Sequence, residues 1–178
     1  MTRPRYDGMA DWYEETFASN ARGDASSAAH LRRLLADATQ LPFADESFQA
    51  VTSTYLHTDI EDIAPVFREA ERVLRQGGRF LFIGTHPCFV GHFVELRDER
   101  TKVIHPGYRD ARWHHDSPYV REQGVTRRVG YRHVPLAELI GALISSGLRL
   151  AQIEEPVEDH PPASDIPGML ALVAVKER

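Results

Sequence analysis

The chain holds one cysteine, Cys88, among 178 residues. A lone thiol excludes an internal disulfide framework and fits a reducing compartment, so a cytoplasmic location is expected. Positive charge is also short: 21 Lys and Arg stand against 26 Asp and Glu, a formal net charge of -5. That balance offers no basic footprint for a nucleic-acid backbone. Long apolar runs are missing too, since no stretch nears the ~20 residues needed to span a bilayer, and no membrane association is expected. The opening Met1-Thr2-Arg3-Pro4-Arg5 leads into polar and acidic residues, not into the apolar core of a signal peptide.

What remains is an ordinary soluble composition, 42% hydrophobic and 26% charged, in a chain long enough to bury a substantial core as one domain, residues 1–178. Met9, Trp12, Tyr13 and Phe17 recur near a helical period, and Ser27 to Leu35 forms a second helical piece. After Pro42 and Asp45 the β-branched and aromatic run Phe48 to Leu56 predicts a strand. Asp59 predicts the cap of a helix whose apolar positions are Ile63, Val66, Phe67, Ala70, Val73 and Leu74, with Gly77-Gly78 as its stop. Arg79 to Gly84 is nearly continuous in apolar residues, the pattern of a strand covered on both faces. Residues 85–130 are rich in His, Pro, Arg and Gly and predict a long loop over a ligand. Leu136 to Ser146 predicts a helix closed by Gly147, and Leu148 to Ile153 and Met169 to Val175 predict two last strands. Strand, helix and strand in that succession imply an α/β fold with a parallel core.

Four segments in order carry a resemblance: Asp37-Ala38-Thr39-Gln40-Leu41-Pro42-Phe43, Phe48-Gln49-Ala50-Val51, Glu71-Arg72-Val73-Leu74-Arg75-Gln76-Gly77-Gly78, and the closing Met169 to Lys176. Together they resemble a class I S-adenosylmethionine-dependent methyltransferase of the small-molecule type often called type 11. That family has a Rossmann-like sheet of order 3-2-1-4-5-7-6, with strand 7 antiparallel. The resemblance implies that strands 4, 5, 7 and 6 are retained here. Leu34-Leu35 runs straight into Ala36-Asp37, so it also implies that strands 1 and 2 and the glycine-rich donor loop are missing, an internal deletion near Leu35/Ala36. Two such βα units need on the order of 60 residues.

By resemblance, S-adenosylmethionine is the cofactor and a small molecule the acceptor. Tyr6, Trp12 and Tyr13 belong to a helix over the donor pocket, and Asp37 and Ala38 face adenine. Ser53, Thr54 and Tyr55 lie at the C-terminal end of strand 4, where ligands collect in open α/β sheets. For Asp37 the alternative is a turn aspartate near Pro42; for the strand residues it is ordinary strand composition. His57, His86 and His133 are candidate general bases, because an imidazole titrates near neutrality. His57 can equally neighbour a helix cap, and His86 can sit in a proline-rigidified turn beside a buried cysteine. Trp113-His114-His115-Asp116 invites a metal reading. Adjacent histidines point in different directions and lack a visible third ligand, so a solvated loop is preferred and no metal is expected. Two classes of function stay open: a methyltransferase, and a non-catalytic remnant that dimerises through the exposed edge of strand 4, whose Val51 to Tyr55 carry no Lys or Pro to block pairing.

Overall fold

The computed structural model describes residues 37–98, 101–117, 125–156 and 165–177. Two compact units divide the chain at Asp37/Ala38, and everything described beyond Asp37 belongs to the second. The helical segments expected at Tyr6–Glu14 and Ser27–Leu35, with Tyr6, Trp12 and Tyr13, lie outside the described residues.

The second unit is built on a four-stranded sheet. Strand β1 spans Phe48–Thr54, helix α1 Ala64–Val73, and strand β2 Leu74–Thr85. Short strands β3 (Val94–Leu96), β4 (Lys102–Ile104) and β5 (Trp113–His114) follow, then helix α2 (Val125–Val129) and strand β6 (Tyr131–Arg132). Helix α3 (Leu136–Ser145), strand β7 (Leu148–Glu154) and strand β8 (Met169–Lys176) complete it. The sheet order is β1-β2-β8-β7. Strand β1 runs parallel to β2, and β8 runs antiparallel to both β2 and β7. This order and sense agree with strands 4, 5, 7 and 6 of the sheet that the resemblance implies. Among the described residues no further strand joins this sheet.

The core lies between the sheet and helices α1 and α3. Phe67, Ala70, Leu139 and Leu143 pack on Phe80, Phe82, Leu148, Leu170, Leu172 and Ala174, all buried. Phe67 stacks edge-on against Phe80 and Phe82 at 5.5 and 6.3 Å between ring centres, a favoured aromatic geometry. Strand β2 departs from the expectation of cover on both faces. Phe80 and Phe82 are buried while Leu81 between them is 40% exposed, the alternation of a strand packed on one side.

Two helix boundaries also differ. Helix α1 begins at Ala64, not after Asp59, because Leu56–Thr58 forms a 3-10 turn first. Pro65 then sits in the opening turn and Asp62 accepts a hydrogen bond from the Ala64 amide at 2.9 Å. Gly77-Gly78 does not stop the helix: α1 ends at Val73, and both glycines lie within β2. They absorb a register shift, with Phe48 opposite Leu74 and Ala50 opposite Arg79. Gly77 has φ +74°, and a Cβ on Gly78 would meet the Arg75 carbonyl at 2.7 Å, so an irregularity built for glycine replaces the expected cap. The described residues between 85 and 130 carry β3, β4, β5 and α2 where a long loop was expected.

Candidate functional site

The C-terminal ends of the parallel pair β1 and β2 lie side by side. The Tyr55 amide donates to the Ile83 carbonyl at 2.8 Å, so the chain leaves β1 level with Gly84 and Thr85. Tyr55 adopts the left-handed region at φ 56°, uncommon for a non-glycine residue and held here by its surroundings. Its hydroxyl reaches Met169 Sδ at 3.0 Å. Ser53 is buried, and its hydroxyl has no hydrogen-bond partner among the described residues. Thr54 is exposed. Ala38 packs at the margin of the core, and Asp37, just before the unit in sequence, is exposed.

A polar tether fixes the segment that follows Ala38. Arg72 on α1 donates to the carbonyls of Leu41 (3.0 Å) and Phe43 (2.8 Å) and pairs with Asp45 and Glu69 at 2.6 and 2.8 Å. Glu69 also accepts from the Leu41 amide at 2.7 Å. The hydrogen bonds from Arg72 hold the Glu69 carboxyl below its ordinary range. Thus the Leu41-Pro42-Phe43 turn is positioned by a Glu and an Arg one helical turn apart.

His57 sits beneath the strand ends and is 2% exposed. It packs edge-on against Phe82 and comes within 3.3 Å of the Thr85 hydroxyl through Nε2. A Cβ on Gly84 would stand 2.4 Å from His57 Cε1, so glycine at 84 is what gives the ring its room. Burial, then the nearby His133, lowers its pKa to about 4. A ring that weakly basic and that enclosed forms part of the wall of the site.

Residues 86–134 place a layer of rings over this floor. Phe93, Tyr108 and His133 contact one another edge-on, with centres 5.0 to 5.5 Å apart. The Tyr108 hydroxyl accepts from the Leu136 amide at 2.8 Å, tying the layer to the start of α3. His133 is buried; burial first, then His92, brings its pKa to about 4, and its Nε2 has no partner among the described residues. His57 and His133 therefore fall together, both neutral near pH 7. His86 stands apart from them, its ring tilted against Phe89 with centres 4.7 Å apart and its Nε2 paired with Glu155 at 2.8 Å. Its Nδ1 accepts from the Cys88 amide. Beside this layer a cavity of about 450 Å³ is lined by Arg112, Trp113, His114, His115, Asp116 and Arg127.

Sequence reasoning did not single out Phe93, Tyr108 or the Glu69–Arg72 tether. Their signals were present: a Glu and Arg at i, i+3 on the polar face of α1, and a Gly107-Tyr108 step after Pro106. Among the described residues no glycine-rich turn joins a strand to a helix. The β1-to-α1 connection, Tyr55 to Ile63, contains no glycine.

Residues 12–82 match the family described as "Methyltransferase domain". A ubiquinone/menaquinone biosynthesis C-methyltransferase from Desulfotalea psychrophila is 47% identical over 51 residues, 29% of this chain and 21% of that protein. A demethylmenaquinone methyltransferase from Mycolicibacterium paratuberculosis is 40% identical over 57 residues, 32% of this chain and 25% of that protein. The chain thus spans only about a fifth to a quarter of the length of these relatives. The crystal structure of an S-adenosylmethionine-dependent methyltransferase from Mesorhizobium loti superposes with TM-score 0.60 at 24% identity, covering 85% of this chain and 76% of that one. With the sheet order β1-β2-β8-β7 and the strand ends described above, these likenesses give the chain the fold of class I S-adenosylmethionine-dependent methyltransferases, with a methyltransferase-domain pattern over residues 12–82.

Proposed function

We propose that the protein is a methyltransferase-lineage chain that uses S-adenosylmethionine to methylate a small molecule, with its donor grip reduced. The observation that carries this reading is the paired strand end of β1 and β2. There Ser53 keeps a buried hydroxyl without a partner among the described residues, and Tyr55 holds a left-handed backbone. Curated relatives named for quinone-pathway methylation favour a flat aromatic acceptor, which Phe93, Tyr108 and His133 would meet with their faces and edges.

The described residues fit the donor in part. Ser53 and the Asp37-Ala38 step supply polar groups suited to a nucleoside, by the family resemblance. The turn that would admit a ribose and amino-acid tail close to the backbone is not among them. The boundary between the compact units, at Asp37/Ala38, falls beside the Leu35/Ala36 joint where that turn is expected to be missing. Catalysis in such a site rests chiefly on alignment of acceptor and donor. Of the three candidate bases, His57 and His133 are held neutral with low basicity, and His86 has both ring nitrogens engaged, Nδ1 by the Cys88 amide and Nε2 by Glu155, so the proposed chemistry leans on alignment.

Calorimetric titration with S-adenosylhomocysteine tests the reading, followed by incorporation of labelled methyl groups into quinol-like acceptors. A dissociation constant in the micromolar range supports it, and an absence of heat at millimolar ligand removes it. One observation favours a second reading, an interaction module that forms a homodimer. Strand β1 has no partner on its outer edge among the described residues, and Phe48, Gln49, Ala50, Thr52 and Thr54 along it are exposed. Such an edge is a template for strand addition. Light scattering decides it: a monomer at all concentrations rejects the dimer.

A further inference from the structure

The adjacent histidines 114 and 115, at the end of β5 and just past it, turn apart. His115 Nδ1 goes to the Arg127 carbonyl at 3.2 Å. His114 turns the other way and stacks on His92, from a segment over twenty residues earlier in the sequence, with ring centres 3.5 Å apart and planes 10° from parallel. Asp110, from the turn before β5, completes a trio. One donor atom from each of His92, Asp110 and His114 lies within 4.8 Å of the others.

The hydrogen bonds fix what those rings offer. His92 Nε2 is 3.1 Å from the Gly107 carbonyl, and His114 Nε2 is 3.3 Å from the Asp110 carbonyl. A carbonyl oxygen only accepts, so Nε2 carries the hydrogen in both rings. In the neutral imidazole that leaves Nδ1 of each as a lone-pair donor. His92 Nδ1 is buried and has no hydrogen-bond partner among the described residues. The third group is an anion: Asp110 Oδ1 accepts from Arg112 Nε at 2.8 Å and from the Arg112 amide at 3.2 Å, while Oδ2 accepts only from Arg112 Nη2 at 2.6 Å and keeps a further lone pair.

We propose that His92, His114 and Asp110 form a binding site for a single divalent transition-metal ion of borderline softness, of the zinc class. Two imidazole nitrogens and one carboxylate oxygen are donors that zinc accepts in four-coordinate geometry, with one position left open. Backbone carbonyls on the remote ring nitrogens are the outer contacts that orient metal-ligating histidines. Gly107 and the Asp110 backbone supply them. Because a metal lies in the plane of each imidazole it binds, the parallel rings must tilt apart as the lone pairs converge. The site belongs to the turn between His92 and β5, and it rests on these side chains alone, independently of methyl transfer.

The experiment is a zinc titration of the full chain by calorimetry, paralleled by the visible absorption of cobalt(II). One saturable ion per chain with a micromolar or tighter constant is expected. His114→Ala and Asp110→Asn should each weaken binding ~10-fold or more, on the scale that disturbed metal sites show. His105→Ala, which removes an exposed histidine paired with Glu95, should leave the constant unchanged. The near-isosteric Asp110→Asn decides the matter should His114→Ala fail to fold. Absence of saturable binding in the wild-type chain, or wild-type affinity in folded Asp110→Asn, overturns the assignment.

Discussion

The sheet half of the molecule and the ring layer above it are held together by different physics. Between α1, α3 and the sheet the contacts are almost wholly hydrocarbon, with Phe67, Leu139, Leu143 and Ala174 at 0% exposure. Over the strand ends the packed surfaces are imidazole, phenol and phenyl rings, most of them on the connections beside strands of two or three residues. Hydrocarbon burial is indifferent to pH. Buried imidazole is not, because its packing requires the neutral ring. The scaffold should therefore tolerate acid that the layer above the site does not.

The strongest way to break the comparison is in the scaffold. Phe67→Ala removes a ring fully enclosed by α1, Phe80 and Phe82 and should cost about 3–5 kcal/mol, read as an equal loss of global stability by urea unfolding at pH 7 and pH 8.

Acid tests the other half. His57 and His133 have folded pKa values of about 4 against 6.5 for the free ring. Between those values the unfolded chain binds protons that the folded one refuses. Stability is then full above about pH 6.5 and falls as pH drops toward 4, by up to about 3 kcal/mol for His57 alone. Urea unfolding across that range checks it, and His57→Asn should flatten the slope by close to one proton. An unchanged slope would mean that the ring is not kept neutral by burial.

Gly84→Ala joins the two halves, since its new methyl would press on His57 from 2.4 Å. A loss of about 1–3 kcal/mol is expected, the usual range for overpacking. Combining it with a small residue at 57 should recover much of that loss in a double-mutant cycle. The smallest effect belongs to Tyr108→Phe. It deprives the Leu136 amide of its acceptor at 2.8 Å for roughly 1–2 kcal/mol, and faster amide exchange at Leu136 would show it directly.

The closing strand, α3 and its Gly147 stop were legible within a residue or two, because periodicity and terminating glycines are local signals. The four-strand order was implied by the family resemblance, since segment order along the chain does not fix it. The start of α1 was misjudged because a 3-10 turn and Pro65 moved the helix five residues past Asp59. Gly77-Gly78 was read as a cap, since a glycine needing positive φ looks the same in a helix stop and in a strand bulge. For the candidate site, the place of Ser53 and Tyr55 at the end of β1 was legible from the strand pattern. The partition of the histidines was not visible, because burial and ring contacts come from segments distant in the chain.

Composition and pattern by themselves determined an α/β succession of strands and helices, for those depend on neighbours a few residues apart. Tertiary structure alone decided that His57 lies against Gly84, that His133 shares its neutral enclosure, and that His114 turns from His115 to meet His92. Desolvation and lone-pair direction are properties of an assembled environment, and no single segment of the sequence carries them.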